Sequence, residues 1–205
     1  ACIYPMYKQM DGQHEPLAEG DAYPAQPQKS YGWEKLHMEH MCREYAKAGV
    51  LNAKIVRFHN CYGPEGAWRG GREKAPAALC RKVATAKLAG DQEIEVWGGG
   101  QQVRSYMWVG DCVEGLLRLM RSNFAGPVNL GSNEAVTVDE LAYLIAGIAE
   151  IAMTIKHVEG PEGVRWRNSD NSLCRVMLGW EPSIPLKSGL EATYVWIEAE
   201  VKHAS

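Results

Sequence analysis

Apolar runs short enough to be strands take turns along this chain with stretches long enough to be helices, and that interleaving restricts the fold to the α/β class. Residues 51–58 alternate and then turn apolar, which predicts a buried strand; 93–97, 103–109, 128–131 and 154–158 read as four more. Helices are predicted over 30–48, 75–87, 111–121 and 186–201, with a short one ending at Leu178. Ser30 and Asp111 stand where an N-cap is favoured, and Gly49 where a left-handed residue closes a helix. Pro76 falls in a first turn, where its missing N–H costs little. Thr137-Val138-Asp139-Glu140 is a capping box that opens a helix to about Ile151. Residues 5–29, punctuated by proline and glycine, form a long loop; 59–71 form a second, and 161–171 a polar third carrying Arg165 and Arg167. Gly98-Gly99-Gly100 is a turn between two strands. The opening residues 1–5 read as the end of a buried strand stopped by Pro5, as expected of a chain whose front is missing.

Composition narrows the partners. With 46% hydrophobic residues in 205, the chain can bury one large domain or a domain and a half. A net charge of -3 argues against a nucleic-acid or anionic-membrane surface. No apolar run approaches the roughly 20 residues of a membrane span and no signal peptide opens the chain, so a soluble protein is expected. The six cysteines, Cys2, Cys42, Cys61, Cys80, Cys112 and Cys174, are scattered without metal-ligand spacing and read as free thiols of a reducing, cytoplasmic compartment. His37, His40 and Cys42 share a predicted helix without a closing partner; they read as a solvated face, and no metal is expected.

Proton chemistry is suggested by Ser30-Tyr31-Gly32-Trp33-Glu34-Lys35. Four residues apart on a helix, Tyr31 and Lys35 lie on one face and can converge on one ligand. A free phenol titrates at about 10. A fixed ammonium beside it favours the phenolate, so Lys35 would prime Tyr31 as an acid/base. Alone, such a tetrad more often marks a solvated helix face.

The ordered set resembles a known superfamily. Tyr31-x-x-x-Lys35 is followed by Arg57-Phe58-His59-Asn60-x-Tyr62-Gly63-Pro64, Arg104-Ser105-Tyr106-x-x-Val109-x-Asp111, Asn129-Leu130-Gly131 and Leu178-Gly179-Trp180-x-Pro182. This is similar to the extended short-chain dehydrogenase/reductases, the NAD-dependent epimerase/dehydratase family. Within it, the stretches 1–5, 70–78 and 160–171 resemble the branch that inverts C3 and C5 of GDP-mannose to give GDP-L-galactose. The resemblance implies the C-terminal part of a Rossmann-type doubly wound parallel sheet plus a smaller α/β substrate-binding domain. Residues 1–65, with a contribution from 98–130, would belong to the NAD-binding domain; 66–97 and 131–205 would mainly bind GDP-sugar. A homodimer in the cytoplasm is implied, with GDP-mannose and related GDP-hexoses as ligands and NAD as cofactor.

The same resemblance assigns roles. Tyr31 takes the C4 hydroxyl proton as the sugar is transiently oxidised, and Lys35 holds the nicotinamide ribose; both also bind the cofactor. Cys2 and Lys74 serve as the acid and base on opposite faces of the 4-keto sugar. Ala1, Cys2, Asn60, Glu73, Lys74, Ala75, Lys82, Gln102, Val103, Arg104 and Arg167 bind substrate, with Arg165 ranked behind Arg167 at the diphosphate. The chain departs from the family in four places. It has no glycine-rich cofactor fingerprint and no serine before Ala1; Trp166 replaces an expected glycine; residues 88–91 look inserted; and the tail beyond Ser205 is short. Inactivity of the chain on its own is therefore expected. Two other readings stay open: another nucleotide-sugar 4-epimerase or dehydratase of the superfamily, and a catalytically silent binding fragment.

Overall fold

A computed structural model describes residues 1–10, 12 and 14–204. Its helices are α1 (Ser30–Lys47), α2 (Ala75–Ala89), α3 (Val109–Arg121), α4 (Val138–Ile148), α5 (Ser172–Leu178) and α6 (Leu186–Ala204). Its strands are β1 (Val56–Phe58), β2 (Asn60–Tyr62), β3 (Glu93–Trp97), β4 (Val103–Trp108), β5 (Val128–Leu130), β6 (Ala135–Thr137), β7 (Thr154–Val158) and β8 (Trp166–Arg167). The class is α/β, and the pairing is mostly parallel. β1 pairs with β5, β3 with β7, and β4 with both β2 and β8 in parallel; only β4–β6 is antiparallel among the described residues.

The main core follows helical periodicity. On α6, Leu186, Leu190, Tyr194, Ile197 and Val201 recur every three or four residues, so they form one stripe. That stripe packs with Leu79, Cys80 and Val83 of α2 and with Leu141, Ala142 and Ile145 of α4. A second cluster gathers Ile3, Tyr4, Leu17, Ala22 and Leu36; a third gathers Met107, Leu119, Val128, Leu130 and Cys174. The capping box at α4 forms as the sequence demands: Glu140 N donates to Thr137 Oγ1 at 3.0 Å and Thr137 N donates to Glu140 Oε2 at 2.7 Å.

Several expectations are corrected. Residues 3–5 are buried but form no strand: the Tyr4 and Pro5 carbonyls accept from the Gln9 side chain at 3.0 and 3.2 Å rather than from a neighbouring strand. The strand expected over 51–58 is ladder-paired only over its last three residues; just ahead of them Ile55 N donates to the Ala125 carbonyl at 2.8 Å. Where a loop was expected after it, the chain steps at His59 into a second sheet as β2, since β4 supplies a parallel partner for Asn60, Cys61 and Tyr62. β3 and β4 do not pair across their glycine turn; β3 finds β7 instead. α3 springs from β4 with Trp108 at its N-cap, so Asp111 lies inside the first turn. There it accepts from Ser183 N and Oγ, both at 3.2 Å, and from Ile184 N at 3.0 Å. Ser30 is the first helical residue rather than the cap, and α4 stops at Ile148. Residues 88 and 89 extend α2, with Gly90 in the left-handed conformation that closes it. No described helix is long and apolar enough to cross a membrane.

Candidate active site

Two clefts hold most of the residues singled out above. The first, about 300 Å³, is walled by Ala1–Ile3, by the Tyr31, Lys35 and Met38 face of α1, and by residues 54–58 along the free edge of β1. The helical spacing does what the sequence demands: Lys35 Nζ sits over the Tyr31 ring, 5.2 Å from its centroid. Lys35 also donates to Glu34 at 3.0 Å, and this contact, more than Tyr31, raises its pKa. Gly32 brings this helix against the chain start. A Cβ at position 32 would collide with the Cys2 carbonyl oxygen and with Pro27 Cβ, so only glycine keeps Tyr31 and Cys2 in one cleft.

The second cleft, about 270 Å³, is lined by Glu73, Ala75, Lys82, Trp97, Gln102 and Arg104, among others. Gln102 is 3% exposed, and its Oε1 has no partner, an acceptor held ready beside the opening. Lys82 Nζ donates to the Glu95 carbonyl at 2.6 Å and lies 5.8 Å from the Trp97 ring centroid. Glu73 is tied to Gly71 N at 2.8 Å and to Arg81 at 3.2 Å. Val103 N donates to the Arg165 carbonyl at 2.9 Å, which ties the start of β4 to the 161–171 loop.

Arg104 lines the second cleft, and Arg167 beside it reaches Cys2 of the first. The β4–β8 register sets them side by side. Arg104 donates to the Val103 carbonyl at 2.6 Å and to that of Val164; Arg167 donates to Gln9 Oε1 at 2.5 Å and to Cys2 Sγ at 3.7 Å. None of these partners is a carboxylate. Burial first, and then the neighbouring Arg167 charge, push Arg104 down to about 10; burial likewise lowers Arg167. Two adjacent guanidiniums held this way favour an anion between them.

Lys74 is exposed at the N-cap of α2. Asn60 is not turned wholly to a ligand: its Nδ2 donates to the Ser105 carbonyl at 3.1 Å across the β2–β4 pair. Trp166, the bulky departure in the arginine loop, packs edge-on against His14 with centroids 4.9 Å apart. Gln9, which holds Arg167, and Trp97, which walls the second cleft, were not picked out from the sequence. Gln9 ends a short 3-10 helix (Met6–Gln9), 158 residues from Arg167, so no local pattern could have marked it.

The profile of the NAD dependent epimerase/dehydratase family matches residues 1–131. The chain belongs to that family. GDP-mannose 3,5-epimerase of Arabidopsis thaliana is 49% identical over 202 residues, which make up 98% of this chain and 52% of that protein. UDP-glucuronic acid decarboxylase 1 of Danio rerio is 32% identical over 185 residues, covering 90% and 43%. The chain thus spans about half the length of such epimerase/dehydratase relatives, 52% in the first case. Among solved structures, UDP-glucose 4-epimerase of Thermotoga maritima superposes with a TM-score of 0.77 at 26% identity, covering 91% of this chain and 58% of that one. Pal from Bacillus thuringiensis does so at 0.80 and 25%, covering 98% and 61%.

Proposed function

We propose that the full-length protein inverts C3 and C5 of GDP-mannose to give GDP-L-galactose, by way of a transient 4-ketone on the sugar. One observation carries this reading. A phenol with its ammonium and a thiol share one cleft, and a pair of adjacent guanidiniums, with no carboxylate among the partners described above, reaches that thiol through Arg167. The 49% identity to a GDP-mannose 3,5-epimerase supports the choice of sugar and nucleotide.

NAD is the cofactor in this reading, and the described residues fit its nicotinamide end. Tyr31 and Lys35 stand at the lip of an open cleft, and the exposed Glu34 contact that Lys35 would give up is worth little. When bound, a nicotinamide supplies a reversible hydride acceptor next to C4. Tyr31 then accepts the C4 hydroxyl proton, with Lys35 beside it. Once C4 is a ketone, the protons on C3 and C5 become acidic. Cys2 and Lys74 would remove and return them from opposite faces, and as the hydride taken from C4 returns to it, Tyr31 would give its proton back to the C4 oxygen. Arg104 and Arg167 hold the diphosphate. Glu73, Ala75, Lys82, Gln102 and Val103 position the nucleotide, and Asn60 keeps one amide oxygen for the sugar end.

In this reading residues 1–65 with 98–130 make the cofactor side, and 66–97 with 131–205 make the substrate side. The main core joins α2, β3, α4 and α6 of the substrate side and also takes in Tyr62 and Tyr106 from the cofactor side. A cytoplasmic homodimer completes the proposal, supported by the exposed Trp33, Met41 and Tyr45 on α1.

The test is solvent exchange. Full-length protein in heavy water is expected to place deuterium at C3 and C5 of GDP-mannose, and a Cys2→Ala variant is expected to lose it. Product inverted only at C4, with indifference to Cys2→Ala, would establish the 4-epimerase reading instead; no turnover and no GDP-sugar binding would establish the silent fragment.

A further inference from the structure

We propose that Gln9 is a positioning residue for the reaction: its amide fixes the Arg167 guanidinium beside the Cys2 thiol and, being neutral, leaves the arginine charge to a ligand. The inference rests on the reading above, in which Arg167 holds the diphosphate and Cys2 serves one face of the sugar.

The Gln9 side chain is fully buried, so both ends of its amide must find partners. Nε2 donates to the Tyr4 carbonyl at 3.0 Å and to the Pro5 carbonyl at 3.2 Å, while Oε1 accepts from Arg167 Nε at 2.5 Å. These partners allow the amide one sense. Carbonyls only accept and a guanidinium only donates, so an amide turned end for end would lose all three bonds. The main chain of the same residue ties the two segments again, because the Gln9 carbonyl accepts from Arg165 N at 3.0 Å. On the other side, Cys2 lies in a turn closed by Tyr4 N, which donates to the Ala1 carbonyl at 3.3 Å. Tyr4 thus carries the constraint from Gln9 back to the thiol.

A guanidinium is planar, so fixing Nε also fixes where its other nitrogens point. Arg167 Nη1 then reaches Cys2 Sγ at 3.7 Å. A carboxylate at position 9 could also accept from Arg167 Nε, but it would neutralise the cation, as Glu39 does for Arg57. It would also turn an oxygen towards the Tyr4 and Pro5 carbonyls, where no proton is on offer. An apolar side chain would leave the charge free and unaimed. The amide both aims the cation and leaves it unpaired.

The test compares Gln9→Glu and Gln9→Met with wild type in the full-length protein. Calorimetry reads GDP binding, and heavy water reads the rate of deuterium entry at C3 and C5 of saturating GDP-mannose. Gln9→Glu is expected to weaken GDP binding by about tenfold, since its carboxylate competes with the diphosphate for Arg167. Gln9→Met is expected to keep GDP affinity within about threefold, while exchange falls roughly tenfold to a hundredfold because guanidinium and thiol are no longer held together. A mere packing role would lower affinity and exchange together in both variants. That pattern overturns the proposal, as does a Gln9→Glu variant that binds GDP like wild type. Should Gln9→Met not fold, the affinity of Gln9→Glu decides. Wild type that binds GDP yet exchanges no deuterium would sink the epimerase reading instead, and the affinities of the two variants would still decide the role of Gln9.

Discussion

Arg57 and the Arg104–Arg167 pair are guanidiniums withdrawn from water in opposite ways. Arg57 is 4% exposed and meets Glu39 with two parallel bonds, Nε to Oε2 at 3.0 Å and Nη2 to Oε1 at 2.8 Å. Its remaining nitrogen donates to the Glu19 carbonyl at 2.7 Å. Although burial alone would lower it, the Glu39 and Tyr4 contacts leave its pKa raised. Arg104 and Arg167 have carbonyls, an amide oxygen and a thiol as partners, and both pKa values fall. A buried cation with its carboxylate is structural; in the proposed function, two side by side without one are the pair that an anionic ligand neutralises.

Three measurements can break or sharpen that contrast. The largest effect is expected for Glu39→Gln, which strands the Arg57 charge in the interior. Urea unfolding should show a loss of about 3–5 kcal/mol, and a change below 1 kcal/mol would mean that Arg57 is no more structural than the other pair. Next, Arg104→Met or Arg167→Met in the full-length protein should weaken GDP binding by about 1.5–3 kcal/mol, the loss of charge-assisted bonds. Calorimetry would read this as roughly tenfold to a hundredfold in Kd, and unchanged affinity would remove the anion site.

The smallest effect belongs to Glu198, a carboxylate near the surface that meets three partners. It accepts from Lys202 at 2.7 Å and Tyr194 at 3.0 Å, and lies 3.2 Å from Lys87. These contacts, led by Lys202, hold its pKa near about 2 against an ordinary 4.5. Because the folded value is the lower one, the stabilisation is complete above the ordinary value and fades as pH falls towards the folded one. Glu198→Gln should cost less than about 1 kcal/mol at neutral pH. The difference from wild type should shrink between pH 4.5 and 2 in thermal unfolding, whereas a gap that widens on acidification would reverse the assigned shift.

What could be read directly were features whose causes lie within a few residues. The Thr137–Glu140 capping box, the β7 strand, the stripe along α6 and the Tyr31–Lys35 spacing all depend on backbone periodicity and nearby side chains. Boundaries set by distant partners were not legible. β2 exists because β4 lies beside it, Asp111 turned out to serve residues 183–184, and residues 1–5 lack a ladder because a strand needs a neighbour.

The site divides along the same line. The sequence by itself determined which phenol, amine, thiol and guanidiniums the chain carries, and the helical spacing of the first pair. Only the tertiary structure decided that Arg167 would reach Cys2, that Gln9 would hold it, and that Glu39 would neutralise Arg57 while Arg104 was left without a carboxylate. Those contacts join residues from 18 to 165 positions apart, and their energy exists only once the intervening chain has folded to bring them within bonding distance.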